Sequence, residues 1–205
     1  MKSYPSIDRN LRKDIYVYAF DKLDGSNIRA EWNSKRGFYK FGTRTQLMDE
    51  KSQPFGKAIP ILRAKFEEQL GLIFNDMGWK DAICFFEYYG PSSCFGGHSE
   101  DEEKTLTLID INPYKQGILN PDQFIKLFHY LDIPRVLFEG FITEEFVDQV
   151  KAGTLPGMTL EGVVCKGLND KATKMPIMFK IKSRPWLDKL KKYCGGNEAL
   201  YNKLV

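Results

Sequence analysis

Four short segments of this chain place charged residues inside, or at the end of, apolar stretches. In chain order they are K-L-D-G-S-N at 22–27, F-F-E-Y-Y-G at 85–90, L-E-G-V-V at 160–164 and F-K-I-K at 179–182. Burying a charge is costly unless the charge is paired or used. Four such segments in a chain of 205 residues therefore predict one shared polar site.

Lys22, Lys180 and Lys182 are the candidates for chemistry on a phosphate. A lysine with an ordinary pKa of about 10.4 is almost entirely protonated at neutral pH, so a nucleophilic lysine needs nearby cations or desolvation to lower its pKa. Lys180 and Lys182 share one face of a predicted strand, where they repel unless an anion such as phosphate lies between them. The simpler alternative is that all three are surface lysines.

Glu87 and Glu161 are the matching anions, and each lies among apolar or aromatic residues. Carboxylates in such places bind a metal, a ribose hydroxyl or a cation. An internal salt bridge to the same lysines is the alternative. His98 follows two glycines in a polar loop, and we interpret it as a solvated side chain rather than a catalytic one.

The elements that position these residues can be predicted from hydrophobic patterns. Strands are predicted at 14–21, 28–32, 38–42, 82–89, 105–111, 160–166 and 177–182. Spacings of three and four residues predict a helix over 58–74, and Asn120 and Thr143 are predicted to cap two more. A helix over 185–193 and a short one follow. Hairpins dominate the first part of the chain, so we expect an α+β fold of antiparallel sheets rather than a doubly wound sheet.

Composition excludes several classes of protein. With 42% hydrophobic and 28% charged residues, the chain is an ordinary globular protein rather than a disordered or collagen-like one. No apolar run approaches the roughly 20 residues of a membrane span, and no signal peptide begins the chain. Cys84, Cys94, Cys165 and Cys194 form no C-x-x-C pair. We therefore expect reduced thiols in a cytoplasmic protein (in the host cytoplasm for a virus) without a zinc site.

Charge is unevenly distributed along the chain. The net charge is +3, yet residues 166–205 contain ten basic and three acidic residues. Such a basic end favours a polyanion such as nucleic acid, although a solvated helix face is the alternative. In the last helix, Trp186, Leu187 and Leu190 are predicted to pack on the domain, not to stack on bases. The residues expected to contact a nucleic-acid backbone are Arg184, Lys189, Lys191 and Lys192.

Taken together and in order, the four segments resemble the motifs of covalent nucleotidyltransferases, the superfamily of ATP-dependent polynucleotide ligases and mRNA capping enzymes. K-L-D-G is similar to the K-x-D-G nucleophile motif. The S-N that follows it, G-T-R-T-Q at 42–46, G-P-S-S-C-F-G-G-H at 90–98 and K-S-R at 182–184 most resemble RNA ligases of the bacteriophage RNA ligase 2 family. The resemblance covers nearly the whole chain, thinning before residue 14 and between 121 and 158.

The resemblance implies roles for the cationic and amide residues. Lys22 would attack the α-phosphate of ATP and carry AMP as a lysyl phosphoramidate. Asn27 would contact the phosphates, and Arg44 would contact nucleotide phosphate or the nucleic-acid end. Lys180 and Lys182 would contact the α-phosphate. The implied activity is the joining of a 5′-phosphate to a 3′-hydroxyl in RNA, as in RNA repair.

The resemblance also implies roles for the acidic residues. Glu87 would hydrogen-bond the ribose, and Glu161 would bind Mg²⁺ or Mn²⁺ directly or through water. Asp110 matches the acidic position of a further motif. Relatives often have an aromatic residue beside that acid to stack on adenine, whereas this chain has Leu108 and Ile109.

The implied architecture is a nucleotidyltransferase domain over 1–183 of antiparallel sheets flanked by helices, with a basic helical tail over 184–205 packed on it. Too few residues follow Lys182 for an OB-fold or a helical domain, so a helper protein for a monomeric enzyme is one expectation. An ATP-dependent DNA ligase, a capping-type guanylyltransferase using GTP and a non-enzymatic nucleic-acid-binding module are the alternatives. Whether nicks, splinted ends or free single strands are joined stays open.

Overall fold

The computed structural model describes residues 2–91, 93, 101–170 and 176–205, so Cys94 and His98 lie outside the described residues. The strands are β1 (Tyr16–Asp21), β2 (Ser26–Asn33), β3 (Gly37–Thr43), β4 (Leu47–Met48), β5 (Asp81–Tyr89), β6 (Thr105–Pro113), β7 (Val136–Phe141), β8 (Gly162–Lys166) and β9 (Met178–Lys182). The helices are α1 (Ala58–Leu62), α2 (Glu68–Asp76), α3 (Pro121–Phe128), α4 (Glu144–Ala152), α5 (Arg184–Cys194) and α6 (Glu198–Leu204), and a π-helical segment (Arg63–Glu67) joins α1 to α2.

Two antiparallel sheets form the framework. The five-stranded sheet has the order β4-β3-β2-β5-β6, and the four-stranded sheet has the order β7-β1-β8-β9. All pairs between these strands are antiparallel. The predicted α+β class with antiparallel sheets is confirmed.

Each sheet has its own hydrophobic core. The helical stretch from α1 to α2 and helix α3 cover the five-stranded sheet with a large cluster rich in aromatic rings, in which Phe66 and Phe86 lie 5.2 Å apart. Helix α4 covers the four-stranded sheet with a smaller cluster, where Phe138 and Phe146 stack at 4.2 Å. The alternation of apolar residues along the strands explains both cores, because every second side chain faces the helices.

The two predicted helix caps have different outcomes. Thr143 Oγ1 accepts a hydrogen bond from the Phe146 N–H at 3.1 Å, which confirms it as the cap of α4. Asn120 precedes α3 but makes no side-chain cap hydrogen bond. Its Oδ1 instead accepts from the Asn169 N–H at 2.7 Å. Asn120 is therefore the N-cap residue of α3 as predicted, but it lacks the capping hydrogen bond, because a residue 49 positions away takes its side-chain oxygen.

The short strand β4, strand β7 and the ordered segment before β1 were not predicted. Strand β7 forms an edge of the four-stranded sheet, and its side chains are half-exposed rather than alternately buried, so it lacks a two-residue pattern. The segment before β1 also has a defined place. Asp8 bridges Phe179 and accepts a hydrogen bond from the Lys180 N–H at 2.8 Å. Tyr4 packs against Phe85 with the ring centroids 5.0 Å apart, so this segment spans both sheets.

Helix α5 follows β9 directly. Its buried residues Trp186, Leu190 and Cys194 form a small cluster with Leu160 and residues of α6. Its basic residues Arg184, Lys189, Lys191 and Lys192 are exposed. Among the described residues, no helix is both long and apolar enough to cross a bilayer.

Candidate active site

A cleft of about 530 Å³ lies between the two sheets. It brings together the seven residues to which the resemblance assigns catalytic, nucleotide-binding or metal-binding roles, which are Lys22, Asn27, Arg44, Glu87, Glu161, Lys180 and Lys182. Residues from β2, β5, β9 and the connections after β1 and before β8 therefore meet at one place. The shared polar site predicted from the four segments is present in the fold.

Backbone pairing places Lys22 beside Glu161. Lys22 follows β1, and its N–H donates to the Gly162 carbonyl at 2.9 Å. Gly162 has φ of 132° and lies so close to β9 that a Cβ would be 2.1 Å from the Ile181 carbonyl oxygen. Only glycine fits this position, which explains the G of L-E-G. The Lys22 Nζ and the Glu161 Oε2 are 2.7 Å apart.

Glu161 is shared by two lysines. It is 4% exposed, and its second oxygen accepts from Lys182 Nζ at 2.9 Å. Burial lowers the pKa of Lys22, but the charges of Glu161 and Glu87 and the hydrogen bond to Glu161 outweigh it, so its pKa is raised. The expectation that neighbouring cations lower the pKa of Lys22 is therefore wrong in this structure. Lys22 is held here as an ammonium.

The pKa values of Lys180 and Lys182 are both lower than that of an ordinary lysine. Burial and then the neighbouring charge of Lys182 lower the pKa of Lys180 to about 8. Burial also lowers the pKa of Lys182, against the opposing effect of Glu161. The Lys180 Nζ donates to the Val205 carbonyl at 3.1 Å. Close cations that lack enough anions favour binding of a phosphate.

Asn27 and Glu87 face each other on the opposite wall, paired across β2 and β5. Burial raises the pKa of Glu87 to about 7, with Lys22 opposing the shift and Glu161 and Asp24 adding to it. The Asn27 Nδ2 donates to the Phe86 carbonyl at 3.4 Å. Its Oδ1 is buried and has no hydrogen-bond partner within the described part of the chain. This wall offers oxygen atoms to a bound group.

Arg44 lies on the rim and is exposed. Its carbonyl oxygen accepts a hydrogen bond from Ser3 Oγ at 3.0 Å. The segment before β1 therefore contributes to the position of Arg44 as well as to that of Lys180. The sequence before residue 14 shows little resemblance to the ligase motifs, so this contribution could not be predicted from it.

Tyr4 and Lys166 are among the polar residues of the cleft that the sequence analysis did not single out. Lys166 Nζ donates to Asp110 Oδ2 at 2.7 Å and to the Ile109 carbonyl at 2.8 Å, while the Tyr4 hydroxyl also donates to Asp110. Asp110 is 1% exposed, and burial raises its pKa against the effect of Lys166. A lysine inside the apolar strand β8 was the signal that could have identified Lys166.

The residue beside Asp110 also has a defined place. Ile109 lines the cleft, whereas Leu108 is fully buried in the large core. An aliphatic side chain therefore lies on this wall of the cleft, beside the acidic residue Asp110.

The oxygen atoms that the cleft offers suit a hard cation whose remaining ligands are water and substrate phosphates. The described residues contain no group of three His, Cys, Asp or Glu side chains able to hold a metal ion. The cleft does offer the Glu161 carboxylate and the unpartnered Asn27 Oδ1. Magnesium commonly binds through one or two carboxylates together with water and substrate phosphates. The residues present therefore fit Mg²⁺ or Mn²⁺ delivered with a nucleotide.

Comparison of the sequence with protein families identifies the chain. The model of the RNA ligase family matches residues 15–182, which include the cleft residues from Lys22 to Lys182. The chain therefore belongs to the RNA ligase family. No curated protein matches the chain in a sequence search.

Comparison with solved structures finds the same fold in RNA ligase of Naegleria gruberi. A mutant with ATP and Mn has a TM-score of 0.68 and 17% identity over 92% of this chain and 58% of that chain. A mutant with AMP and Mn gives 0.64 and 16% over 86% and 52%. The enzyme with PPi gives 0.64 and 16% over 87% and 52%. The chain thus spans just over half the length of these proteins.

Proposed function

We propose that this chain is an ATP-dependent RNA ligase that joins a 5′-phosphate to a 3′-hydroxyl through a lysyl-AMP intermediate. The observation that carries the proposal is the cleft in which Lys22, Glu161 and Lys182 form one chain of ion pairs with Lys180 beside it. Membership of the RNA ligase family supports it. So do the solved structures of the same fold, in which the Naegleria gruberi ligase was studied with ATP, AMP and PPi.

The first reaction is nucleophilic attack by the Lys22 amine on the α-phosphate of ATP, which releases pyrophosphate. Lys22 must first lose its proton, which its contact with Glu161 opposes. A cation that binds Glu161 weakens the main interaction that raises this pKa. Lys180 and Lys182 then stabilise the negative charge on the phosphoryl oxygens. The AMP passes to the 5′-phosphate of RNA, and the 3′-hydroxyl displaces it.

Glu161 would hold Mg²⁺ or Mn²⁺ directly or through water, and the Asn27 side chain would contact the phosphates. When bound, the metal neutralises charge on the phosphates. Glu87 on the opposite wall accepts hydrogen bonds and would hold a ribose hydroxyl, which a carboxyl with a pKa of about 7 does in either protonation state. Ile109 would supply an aliphatic contact for the adenine, because its side chain lines the cleft.

The nucleic acid would contact the exposed rim, with Arg44 at one side and the basic face of α5 at the other.

We propose that the enzyme is similar in type to the bacteriophage RNA ligase 2 family and works as a cytoplasmic monomer, with a helper protein contributing to RNA binding. The proposed boundary lies between a nucleotidyltransferase domain (1–183) and the basic tail (184–205). Sealing of DNA is the second candidate, since the cleft residues would contact the nucleotide in the same way.

Intact-mass measurement after incubation with ATP and Mg²⁺ tests the central step. We expect the mass of one AMP to be gained by the wild type and no gain with GTP alone. A gain from GTP but not from ATP would overturn the ligase proposal in favour of a guanylyltransferase. Nicked duplexes with RNA or DNA at the 3′-hydroxyl side then identify the substrate, with faster sealing of the RNA end expected.

A further inference from the structure

Trp186 lies in the first turn of α5. It contacts residues of two of the four charged segments, K-L-D-G-S-N at 22–27 and F-K-I-K at 179–182. The helix begins after Ser183, whose Oγ accepts from the Trp186 N–H at 3.2 Å and donates to the Leu160 carbonyl. Trp186 is 2% exposed and packs with Leu190, as its apolar pattern predicts. It also lines the cleft, which packing alone does not require.

The indole makes two polar contacts on its cleft side. Its Nε1–H donates to Asp24 Oδ2 at 3.1 Å, and Asp24 belongs to the K-L-D-G turn. The Lys182 Nζ lies 3.6 Å from the ring centroid. The same ammonium donates to Glu161, which accepts from Lys22. One side chain thus connects the turn that carries Lys22 to the strand that carries Lys182.

Each contact restricts a charged group. An ammonium has three N–H donors, and the electron-rich face of tryptophan attracts a cation without offering a conventional acceptor. Glu161 and the ring thus hold the Lys182 ammonium at the edge of the cleft that it lines. The indole N–H holds one oxygen of Asp24, which fixes the orientation of the turn. A leucine or alanine at this place could fill the space but provide neither contact.

We propose that Trp186 is a positioning residue for AMP attachment. It holds the Lys182 ammonium and the turn containing Asp24 in fixed positions relative to Lys22. This inference rests on the proposed ligase function. It assigns Trp186 no contact with ATP, so the residue acts only through Lys182 and Asp24. Its loss should therefore lower the limiting rate of AMP attachment more than it changes the affinity for ATP.

Two substitutions separate the contacts. Trp186→Phe keeps an aromatic face for Lys182 but removes the N–H that bonds Asp24, whereas Trp186→Leu removes both. Leu190→Ala is the matched control, because Leu190 is fully buried in the same cluster of α5 and touches neither charged group through a polar atom. Single-turnover rates of AMP attachment at varied ATP concentration, and melting temperatures, are measured for all four proteins.

We expect Trp186→Leu to lower the limiting rate about 100-fold, because a small displacement of reacting groups has effects of this size. Trp186→Phe should lower it about tenfold, so that the conservative ring partly restores the rate. The ATP concentration at half-maximal rate should change less than about threefold in both. Leu190→Ala should lower the melting temperature but leave the rate of the folded protein near that of the wild type.

Two results would overturn the positioning role. One is a folded Trp186→Leu protein whose limiting rate equals that of the wild type. The other is an equal loss of rate in Trp186→Phe, Trp186→Leu and Leu190→Ala, together with equal destabilisation of the three variants. That result would show that Trp186 acts through packing alone. Failure of the wild type to gain AMP is a distinct result. It would overturn the proposed function itself, and this inference with it.

Discussion

The two walls of the cleft hold their charges in different ways. The wall formed by β2 and β5 rests on the large aromatic core and presents Asn27 and Glu87, which face each other across the strands. The wall formed by the four-stranded sheet presents Lys180 and Lys182 from β9, with Lys22 and Glu161 from neighbouring segments.

This difference separates two binding tasks. The first wall has one carboxyl group with a pKa raised to about 7, so it is suited to hydrogen bonds with neutral groups such as a ribose. The second wall brings Lys22, Lys180 and Lys182 together around Glu161, so it is suited to phosphates. Substitutions in the two walls should therefore affect different properties of the protein, which the following predictions name.

The largest effect is expected at Lys22. Lys22→Ala and Lys22→Arg should both abolish AMP attachment, since alanine lacks an amine and arginine is effectively never deprotonated. We expect a loss of at least about 10³-fold with a melting temperature near that of the wild type. Intact mass after incubation with ATP is the measurement. Lys40→Ala, which changes a lysine that pairs with Glu31 outside the cleft, is the control. Normal adduct formation by either Lys22 variant would remove Lys22 as the nucleophile.

Removal of Glu161 should have the next largest effect, because it leaves two buried ammonium groups without their shared carboxylate. We expect Glu161→Ala to lower the free energy of unfolding by about 3 kcal/mol and to need much more Mg²⁺ for AMP attachment. Urea unfolding and a Mg²⁺ titration are the measurements. An unchanged Mg²⁺ requirement in the folded variant would exclude Glu161 from the metal site.

Glu87 should make stability depend on pH. Its folded pKa of about 7 lies above the ordinary value of 4.5, so the folded protein binds an extra proton between these values. Stability from this residue therefore falls as the pH rises from about 4.5 to about 7, and the loss is complete above that range. Glu87→Gln should be more stable than the wild type at pH 8 by about 3 kcal/mol, with little gain at pH 4.5.

Urea unfolding at both pH values checks this prediction. Glu145→Gln on α4 is the control, because Glu145 is an exposed carboxylate far from the cleft. Equal stability of Glu87→Gln and the wild type at pH 8 would contradict the buried, charge-disfavouring site. AMP attachment by this variant should fall, since the amide accepts hydrogen bonds from a ribose less strongly than a carboxylate does.

The smallest effect is expected from the basic face of α5. Replacing Lys189, Lys191 and Lys192 with Gln should weaken nucleic-acid binding and reduce its dependence on salt, because fewer counterions are released. AMP attachment should stay near the wild-type rate, since these side chains are exposed outside the cleft. Binding measured over a range of salt concentrations gives the slope. An unchanged slope would reject this face as a nucleic-acid surface, and a collapse of AMP attachment would place the lysines at the ATP phosphates.

Local patterns predicted most of the secondary structure. Strands β1, β2, β5, β6, β8 and β9 and the helical stretch from α1 to α2 lie within a few residues of their predicted bounds, since each has a regular apolar period. Strand β7 was missed because it is an edge strand without that period. Asn120 lacks its capping hydrogen bond because the distant Asn169 takes its side-chain oxygen.

The sequence by itself determined the family, the antiparallel α+β class and the set of charged residues that meet in the cleft. These depend on residue types and short spacings, which local chemistry constrains. Tertiary structure alone decided the direction in which the pKa of Lys22 shifts, because its partner Glu161 lies 139 positions away and raises that pKa. It also decided the places of Tyr4, Lys166 and Trp186, since a buried polar contact depends on which distant groups the fold brings within hydrogen-bond distance.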